Sequence, residues 1–300
     1  MNPPKTLPLI YHGPYPYEPD GLDFKGKSFS RLSNHSKGRS SLTRFTLNRF
    51  KTVLITLFLS PLFAPLSQAA VIQTCEGNQS VTVGSYVVGT NYWNPKACGG
   101  RQCIAINDKT GSFTVTDDSF SCAPEVASYP FIFYGSHFGS LSPNSILPMK
   151  ITNLKNVTTS WDFQSPTEGS WDAAYDVWFS RGPSTVGGFR GGAELMIWLD
   201  YRGNVPPAGQ KVGQVLIDGK NWTLWEGPIG WNYIAYLADD PVTSVKDLDL
   251  MNFLKDSMSR GFIDSSWYLS AVEAGDELRT GGAPFTSHSF SVSVNRPPLN

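Results

Sequence analysis

The chain contains few of the side chains that build metal centres. Its 300 residues include only 4 Cys and 4 His. No Cys-x-x-Cys pair occurs, and His137 and His288 lie far along the chain from the cysteines, so the spacing does not fit a zinc site. We therefore predict that the protein holds no metal and needs no cofactor.

Positive charge is scarce after residue 70. The whole chain has 24 Lys and Arg against 25 Asp and Glu, but the first 70 residues hold 9 of the basic and only 3 of the acidic side chains. Residues 71–300 are left with 15 basic and 22 acidic residues. This acidic balance disfavours nucleic acid and anionic membranes as partners.

The apolar run at 52–66 is too short for a membrane span and contains two prolines. Basic residues precede it and Ser67-Gln68-Ala69 follows it, which is typical of a signal peptide cleaved after Ala69 or Ala70. The polar segment before it has too few apolar residues to form a core. We predict that residues 1–70 are an upstream extension plus a signal peptide, and that residues 71–300 are one secreted domain without membrane contact.

Runs rich in β-branched and aromatic residues recur after residue 71, separated by Gly, Pro, Asn and Asp. The predicted strands are 80–88, 112–116, 130–134, 173–179, 194–201, 211–217, 221–226, 232–237, 267–277 and 288–294. So many strands indicate an all-β jelly roll rather than alternating parallel β/α units.

A single segment has a convincing helical period. Its apolar residues follow the i, i+3, i+4, i+8 pattern: Leu250, Phe253, Leu254 and Met258. Asp249 can cap its first turn and Gly261 can end it after Arg260. We expect this amphipathic helix to cover the outer face of the sandwich.

Two carboxylates from distant strand-like segments are the strongest functional signal. In the strand at 194–201 alternate side chains point to opposite faces, which separates Leu195, Ile197 and Leu199 from Glu194, Met196 and Trp198. Glu277 follows 83 residues after Glu194. Cleavage of a glycosidic bond needs two flanking carboxyl groups, and an indole suits a sugar ring. The alternative interpretation is that Glu194 is a solvated residue on a half-buried strand.

Several segments resemble glycoside hydrolase family 12, the small retaining endo-β-1,4-glucanases. They occur in the family's order at 128–139, 175–179, 193–199 and 274–282. The resemblance covers roughly residues 72–295. It implies a two-sheet antiparallel β-jelly roll with one packed helix and an open substrate cleft, a β-1,4-glucan substrate and retention of configuration. We expect a monomer.

The resemblance also implies the catalytic roles. Glu194 would be the nucleophile, Glu277 the acid/base, and Asp176 would hydrogen-bond to the nucleophile and orient it. The parity of the late strand leaves an alternative, because Glu273 shares a face with Glu277. The Ala-Gly-x-Glu pattern and the spacing favour Glu277.

Two residues beside Glu277 depart from the family pattern. Asp276 stands where relatives usually have an aromatic residue, and Leu278 stands where they often have Pro. We expect the extra carboxylate of Asp276 to shift the pKa of the acid or to alter a subsite.

We expect four further residues to line the substrate cleft, of which Trp93 and Trp198 match family binding positions: Asn91, Trp93, Met196 and Trp198. Trp93 and Trp198 would stack on sugar rings, Asn91 would contact a hydroxyl and Met196 would shape the floor of the site. Their alternative role is packing in the core. For His137, which lies in a Gly-flanked loop, we expect a structural hydrogen bond rather than catalysis.

Four cysteines in an exported protein predict disulfides, and the sequence alone allows three connectivities. The resemblance implies a bond between Cys75 and Cys103, which pairs Cys98 with Cys122.

Two functions of different class remain: a retaining endo-β-1,4-glucanase acting on cellulose, mixed-linkage β-glucan or xyloglucan, and a glycan-binding jelly roll that does not cleave. The pair of glutamates favours the enzyme.

Overall fold

The computed structural model describes residues 69–183 and 191–295. Of the predicted upstream extension and signal peptide, all but Ala69 and Ala70 lie outside the described residues, so that division of the chain stays a prediction. Within the described ranges, no helix is long and apolar enough to cross a membrane.

Strands make up most of the described chain. They are β1 Val71–Thr74, β2 Ser80–Val83, β3 Tyr86–Gly89, β4 Gln102–Asn107, β5 Phe113–Asp118, β6 Phe131–His137, β7 Ser140–Leu141, β8 Met149–Lys150, β9 Val157–Gln164, β10 Ser170–Ser180, β11 Ala193–Arg202, β12 Gln210–Ile217, β13 Lys220–Pro228, β14 Asn232–Ala238, β15 Ser244–Asp249, β16 Tyr268–Thr280 and β17 Phe285–Val294. The helices are α1 Pro95–Cys98 and α2 Leu250–Ser259, with a 3-10 turn at Ile151–Asn153.

The strands form two sheets. The smaller has the order β1-β4-β5-β17-β9-β15, and the larger has the order β12-β13-β14-β11-β10-β16-β6-β3-β2, with β7 and β8 paired to β6 and β16. Alternate residues of the large sheet face inward and share one apolar core with the small sheet, as Tyr175 and Val177 of β10 do. The residues between them face outward. We call this outward surface of the large sheet the cleft face.

The two-sheet jelly roll is confirmed, with one correction to its antiparallel character. β11 pairs with β14 in parallel, so that Glu194 lies level with Tyr233. The predicted strand 80–88 is also wrong as a single strand, because Gly84, with φ of +59°, turns the chain between β2 and β3. That backbone conformation suits glycine because a Cβ would be strained there.

Helix α2 begins and ends where the sequence predicts. The side chain of Asp249 accepts a hydrogen bond from the backbone N–H of Met251 at 2.9 Å. The ring of Phe253 packs edge-on against Trp222 and Tyr236, both of which belong to the shared core. The helix therefore packs on the inner face of the large sheet and not on the outside of the sandwich. The large sheet has more strands than the small one, and α2 covers part of the excess.

Two disulfides lie in the first part of the described chain. Cys75 is bonded to Cys103 and Cys98 to Cys122, over sequence separations of 28 and 24 residues. Loops of this length give a chain-entropy stabilisation of about 3 kcal/mol for each bond.

Candidate active site

Three neighbouring strands place five carboxylates on the cleft face. β10 lies between β11 and β16, and the alternation of each strand turns these side chains away from the core: Asp172, Asp176, Glu194, Glu273 and Glu277. All five are buried; Glu194 is 4% exposed and Glu277, the most accessible, 8%. So many buried carboxylates cannot all carry an uncompensated charge, so some must bind protons and others must pair with cations.

The register of β10 sets the spacing within this group. Asp176 lies opposite Met196 on one side and Glu273 on the other, and Trp178 lies opposite Glu194. Asp176 and Glu194 are therefore diagonal neighbours on one face, within side-chain reach of each other. Glu277 lies on the far side of β10, opposite Asp172.

Glu194 is held by an indole. Trp231 Nε1–H donates to Glu194 Oε2 at 2.5 Å, and the Trp231 ring packs on Trp178 with centroids 5.5 Å apart. Burial raises the pKa of Glu194 to about 8, the bond from Trp231 opposes the rise, and the charges of Glu277 and Glu273 add to it. Sequence reasoning missed Trp231, which lies 37 residues further along the chain in a segment without a motif.

Asp176 accepts a hydrogen bond from Trp178 Nε1–H at 2.8 Å on its Oδ2. Burial raises the pKa of Asp176 well above its usual range, and the charge of Glu194 adds most to that rise among its neighbours. Asp176 Oδ1 accepts no hydrogen bond from the described residues. The hydrogen bond expected from Asp176 to Glu194 therefore stays a prediction.

Glu277 and Glu273 have different partners, which separates the two candidates for the acid. Arg279 Nη2 donates to Glu277 Oε2 at 2.8 Å. Glu273 Oε1 lies 2.9 Å from His137 Nδ1 and is fully buried. The structural hydrogen bond expected for His137 is present, and it engages Glu273, whereas Glu277 is the more accessible of the two.

The predicted binding residues Met196 and Trp198 lie on the cleft face in β11, and Trp93 lies outside the strands. Met196 is buried and its sulfur accepts from the Tyr233 hydroxyl at 3.3 Å. Trp198 is only 1% exposed, and the Arg279 guanidinium lies 5.4 Å above its ring, so the ring is not an open stacking platform. Trp93 is partly exposed beside an aromatic cluster that includes Phe131.

Asn91 has a positive φ angle and a buried side-chain donor. Its φ is +41°, and its buried Nδ2 has no hydrogen-bond partner in the described part of the chain. An amide donor left without a partner is suited to a ligand hydroxyl. The binding roles of Asn91, Trp93, Met196 and Trp198 stay predictions.

Asp276 does not belong to this surface, which corrects the expectation that it alters a subsite. Its parity places it on the inner face with Ala274 and Leu278, and neither of its carboxylate oxygens has a hydrogen-bond partner among the described residues. Burial raises the pKa of Asp276 well above its usual range, and Asp118 adds to the rise. Burial likewise raises the pKa of Asp118 to about 7.

Asp276→Asn should raise the melting temperature at pH 7 and change it little at pH 4. The folded pKa lies above the unfolded value of about 3.9, so the stability that this proton contributes is present below about pH 4 and is lost as the pH rises. The amide stays neutral and escapes that loss. Calorimetry at both pH values would measure the difference, which we expect to be about 3 °C or more at pH 7.

The exposed Asp162 supplies the matched control. Asp162→Asn should leave the melting temperature nearly unchanged at both pH values, since substitutions at exposed positions change the free energy of unfolding little. An Asp276→Asn effect of the same size at pH 4 and pH 7 would contradict the assignment of a buried, proton-binding carboxyl.

Among the described residues, no group of three or more His, Cys, Asp or Glu side chains could hold a metal ion. The five carboxylates instead lie beside indoles and an arginine, an arrangement suited to acid–base chemistry on a sugar. A two-sheet β-sandwich with such a row on its open face defines the class of protein as a glycoside hydrolase. The model of "Glycosyl hydrolase family 12" matches residues 84–295, and the chain belongs to this family.

Known proteins resemble the chain over most of their own length. A solved structure, "Endoglucanase cel12A from Rhodothermus marinus", is 42% identical with a TM-score of 0.72, covering 75% of this chain and 99% of its own. "Probable cellulase Cel12b" of Mycobacterium tuberculosis is 37% identical over 50% of this chain and 97% of its own. "Inactive glycoside hydrolase XLP1" of Phytophthora nicotianae is 29% identical over 82% and 100%.

Proposed function

We propose that this chain is a secreted, endo-acting hydrolase that cleaves β-1,4-glucosidic bonds in cellulose, mixed-linkage β-glucan or xyloglucan with retention of configuration. The observation that carries the proposal is the pair of buried glutamates, Glu194 and Glu277, on the two strands that flank β10 and on the same face. The two disulfides support secretion, because such bonds persist in oxidising compartments.

In the proposed mechanism Glu194 attacks the anomeric carbon and forms a glycosyl ester, while Glu277 gives its proton to the leaving oxygen. Glu277, now a carboxylate, then takes a proton from water as that water attacks the same carbon and releases Glu194. Asp176 keeps a proton under the influence of burial and can donate it in a hydrogen bond to Glu194. That hydrogen bond would favour the ionised form of Glu194, which is the form that attacks, against the effect of burial on its pKa.

The alternative is a glycan-binding jelly roll that does not cleave. The name of the Phytophthora relative says that membership of the family does not guarantee activity. Here both glutamates are present and share one face, which a lectin does not need. Release of reducing ends from carboxymethyl cellulose, barley β-glucan or xyloglucan, with a fall in viscosity, would support the enzyme. Binding to the three glucans without release would favour the lectin.

The stereochemistry of the first product tests the double displacement directly. Two inversions through Glu194 return the original configuration, so a β-1,4-glucan should first yield β-anomeric reducing ends, which mutarotate afterwards. Proton NMR of a fresh digest would detect the β-anomer before the α-anomer. If the α-anomer appeared first, water would attack in a single step and Glu194 would not be the nucleophile.

A further inference from the structure

A buried arginine joins the proposed acid/base to a second carboxylate. Arg279 Nη2 donates to Glu277 Oε2 at 2.8 Å, and Arg279 Nη1 donates to Asp172 Oδ1 at 2.5 Å. The side chain of Arg279 is 4% exposed and that of Asp172 is fully buried. One cation is thus shared by two carboxylates in a place that water hardly reaches, so both ion pairs are screened little by salt.

The two carboxylates are also direct neighbours. Asp172 lies opposite Glu277 in the β10–β16 register. Burial raises the pKa of Asp172 well above its usual range; the charge of Glu277 adds to the rise and Arg279 opposes it. Asp172 Oδ2 accepts no hydrogen bond from the described residues and is free to carry a proton. Two carboxyls with one arginine are close to neutral when they hold a single proton between them.

We propose that Asp172 and Arg279 are positioning residues for Glu277, in which Arg279 fixes the Glu277 carboxyl group and Asp172 shares one proton with it. This inference rests on the proposed function, since it assumes that Glu277 is the acid/base. When Glu277 passes its proton to the leaving oxygen, both carboxyls become ionised around Arg279, and the arginine stabilises that state until water returns a proton.

Other charged and titratable groups surround the unit from each neighbouring element. They are Asp176 on β10, Glu194 and Tyr201 on β11, Glu273 on β16, Tyr129 before β6, and Asp276 on the opposite side of β16. His137, at the end of β6, contacts Glu273. Among the described residues, Arg279 is the cation that donates hydrogen bonds to both carboxylates of the pair. Removing the Arg279 cation should therefore make loss of the shared proton less favourable. Removing the Asp172 carboxylate should make that loss more favourable.

The alkaline limb of kcat/KM on barley β-glucan, where the shared proton is lost, tests the proposal. Asp172→Asn removes the like charge and leaves Glu277 alone with Arg279, which should move the limb to lower pH by about one unit or more. Arg279→Gln removes the cation and should move the limb to higher pH by a similar amount. A merely structural role would not move the two limbs in opposite directions.

Two further variants serve as controls. Arg279→Lys keeps the charge but cannot donate to Asp172 and Glu277 with two separate NH groups. Its alkaline limb should therefore lie at the wild-type pH, while its kcat stays below the wild-type value. Glu168→Gln, at the exposed ion pair with Arg202, should leave the profile unchanged. With dinitrophenyl cellobioside, whose leaving group needs no proton, formation of the glycosyl-enzyme by Arg279→Gln should stay near the wild-type rate.

Different results would overturn different claims. If the wild type hydrolyses β-glucan but the alkaline limbs of Asp172→Asn and Arg279→Gln move in the same direction or do not move, the positioning role is wrong. The proposed function would then still stand. Absence of hydrolysis in the wild type would overturn the proposed function. Carboxyl titration by ¹³C NMR would then still test the unit, because loss of Asp172 should shift the Glu277 resonance profile to lower pH whether or not the chain is an enzyme. If it did not, the shared proton would be ruled out.

Discussion

Glu194→Gln is expected to lower kcat on barley β-glucan by at least about a thousandfold, because the amide has the shape of the carboxyl group but cannot form the glycosyl ester. The change should leave the fold intact. Burial raises the pKa of Glu194 to about 8, so the charged carboxylate costs folding free energy, and the neutral amide avoids that cost. Trp231 Nε1–H can still donate to the amide oxygen.

The measurement is turnover together with the melting temperature of the same preparation. We expect the melting temperature of Glu194→Gln to equal or exceed that of the wild type at pH 7. Glu168→Gln, a change of the same chemistry at an exposed position, should keep full activity. More than a few per cent of wild-type turnover in a clean Glu194→Gln preparation would show that another group is the nucleophile.

Glu277→Ala should nearly abolish cleavage of β-glucan yet spare substrates that leave without a proton. Dinitrophenyl cellobioside should still form the glycosyl-enzyme, which then accumulates because no base activates water. Azide should enter the vacated space and release the sugar as a glycosyl azide. Steady-state rates with and without azide, and identification of that product, would measure the effect.

Glu273→Ala is the decisive comparison, because Glu273 lies on the same face of β16 and is also a buried glutamate. Its partner is His137 rather than Arg279, and we expect no azide rescue. Rescue in Glu273→Ala together with its absence in Glu277→Ala would mean that the acid/base is Glu273.

The long strands at the centre of the large sheet could be predicted because they are rich in aromatic and aliphatic residues and every second position is apolar. In β10 and β11 the inward residues are apolar and the outward ones carry the carboxylates, which is enough to place Asp176 and Glu194 on one face. The same parity, applied further along β10 and β16, would have placed Asp172 and Arg279 there too. Sequence reasoning stopped at the residues that matched a family motif.

Other parts of the fold carried weaker signals. β9, with the sequence VTTSWDFQ, alternates between buried and more exposed positions, but its Thr, Ser, Asp and Gln residues made it look polar. The parallel pairing of β11 with β14 depends on where the hairpin strands β12 and β13 return the chain, which no local pattern specifies. The position of α2 depends on the relative widths of the two sheets, which are likewise a property of the whole fold.

The contact between Trp231 and Glu194 also could not be predicted from the local sequence. Trp231 lies just before β14, and it reaches Glu194 only because β14 runs beside β11. A prediction of this contact would have required the parallel pairing first. Residues that support the site through tertiary contacts are therefore the ones that sequence reasoning missed.

The central place of β16 has a consequence for how the chain acquires activity during synthesis. This strand is among the last to be made, yet it inserts between β10 and β6, and β6 ends more than 130 residues before β16 begins. Until then two unpaired strand edges stay exposed, which invites aggregation, and contacts so distant in sequence form slowly. Glu277 joins Glu194 on the cleft face only when β16 inserts, so hydrolysis would report this late folding step, and refolding assays could follow it.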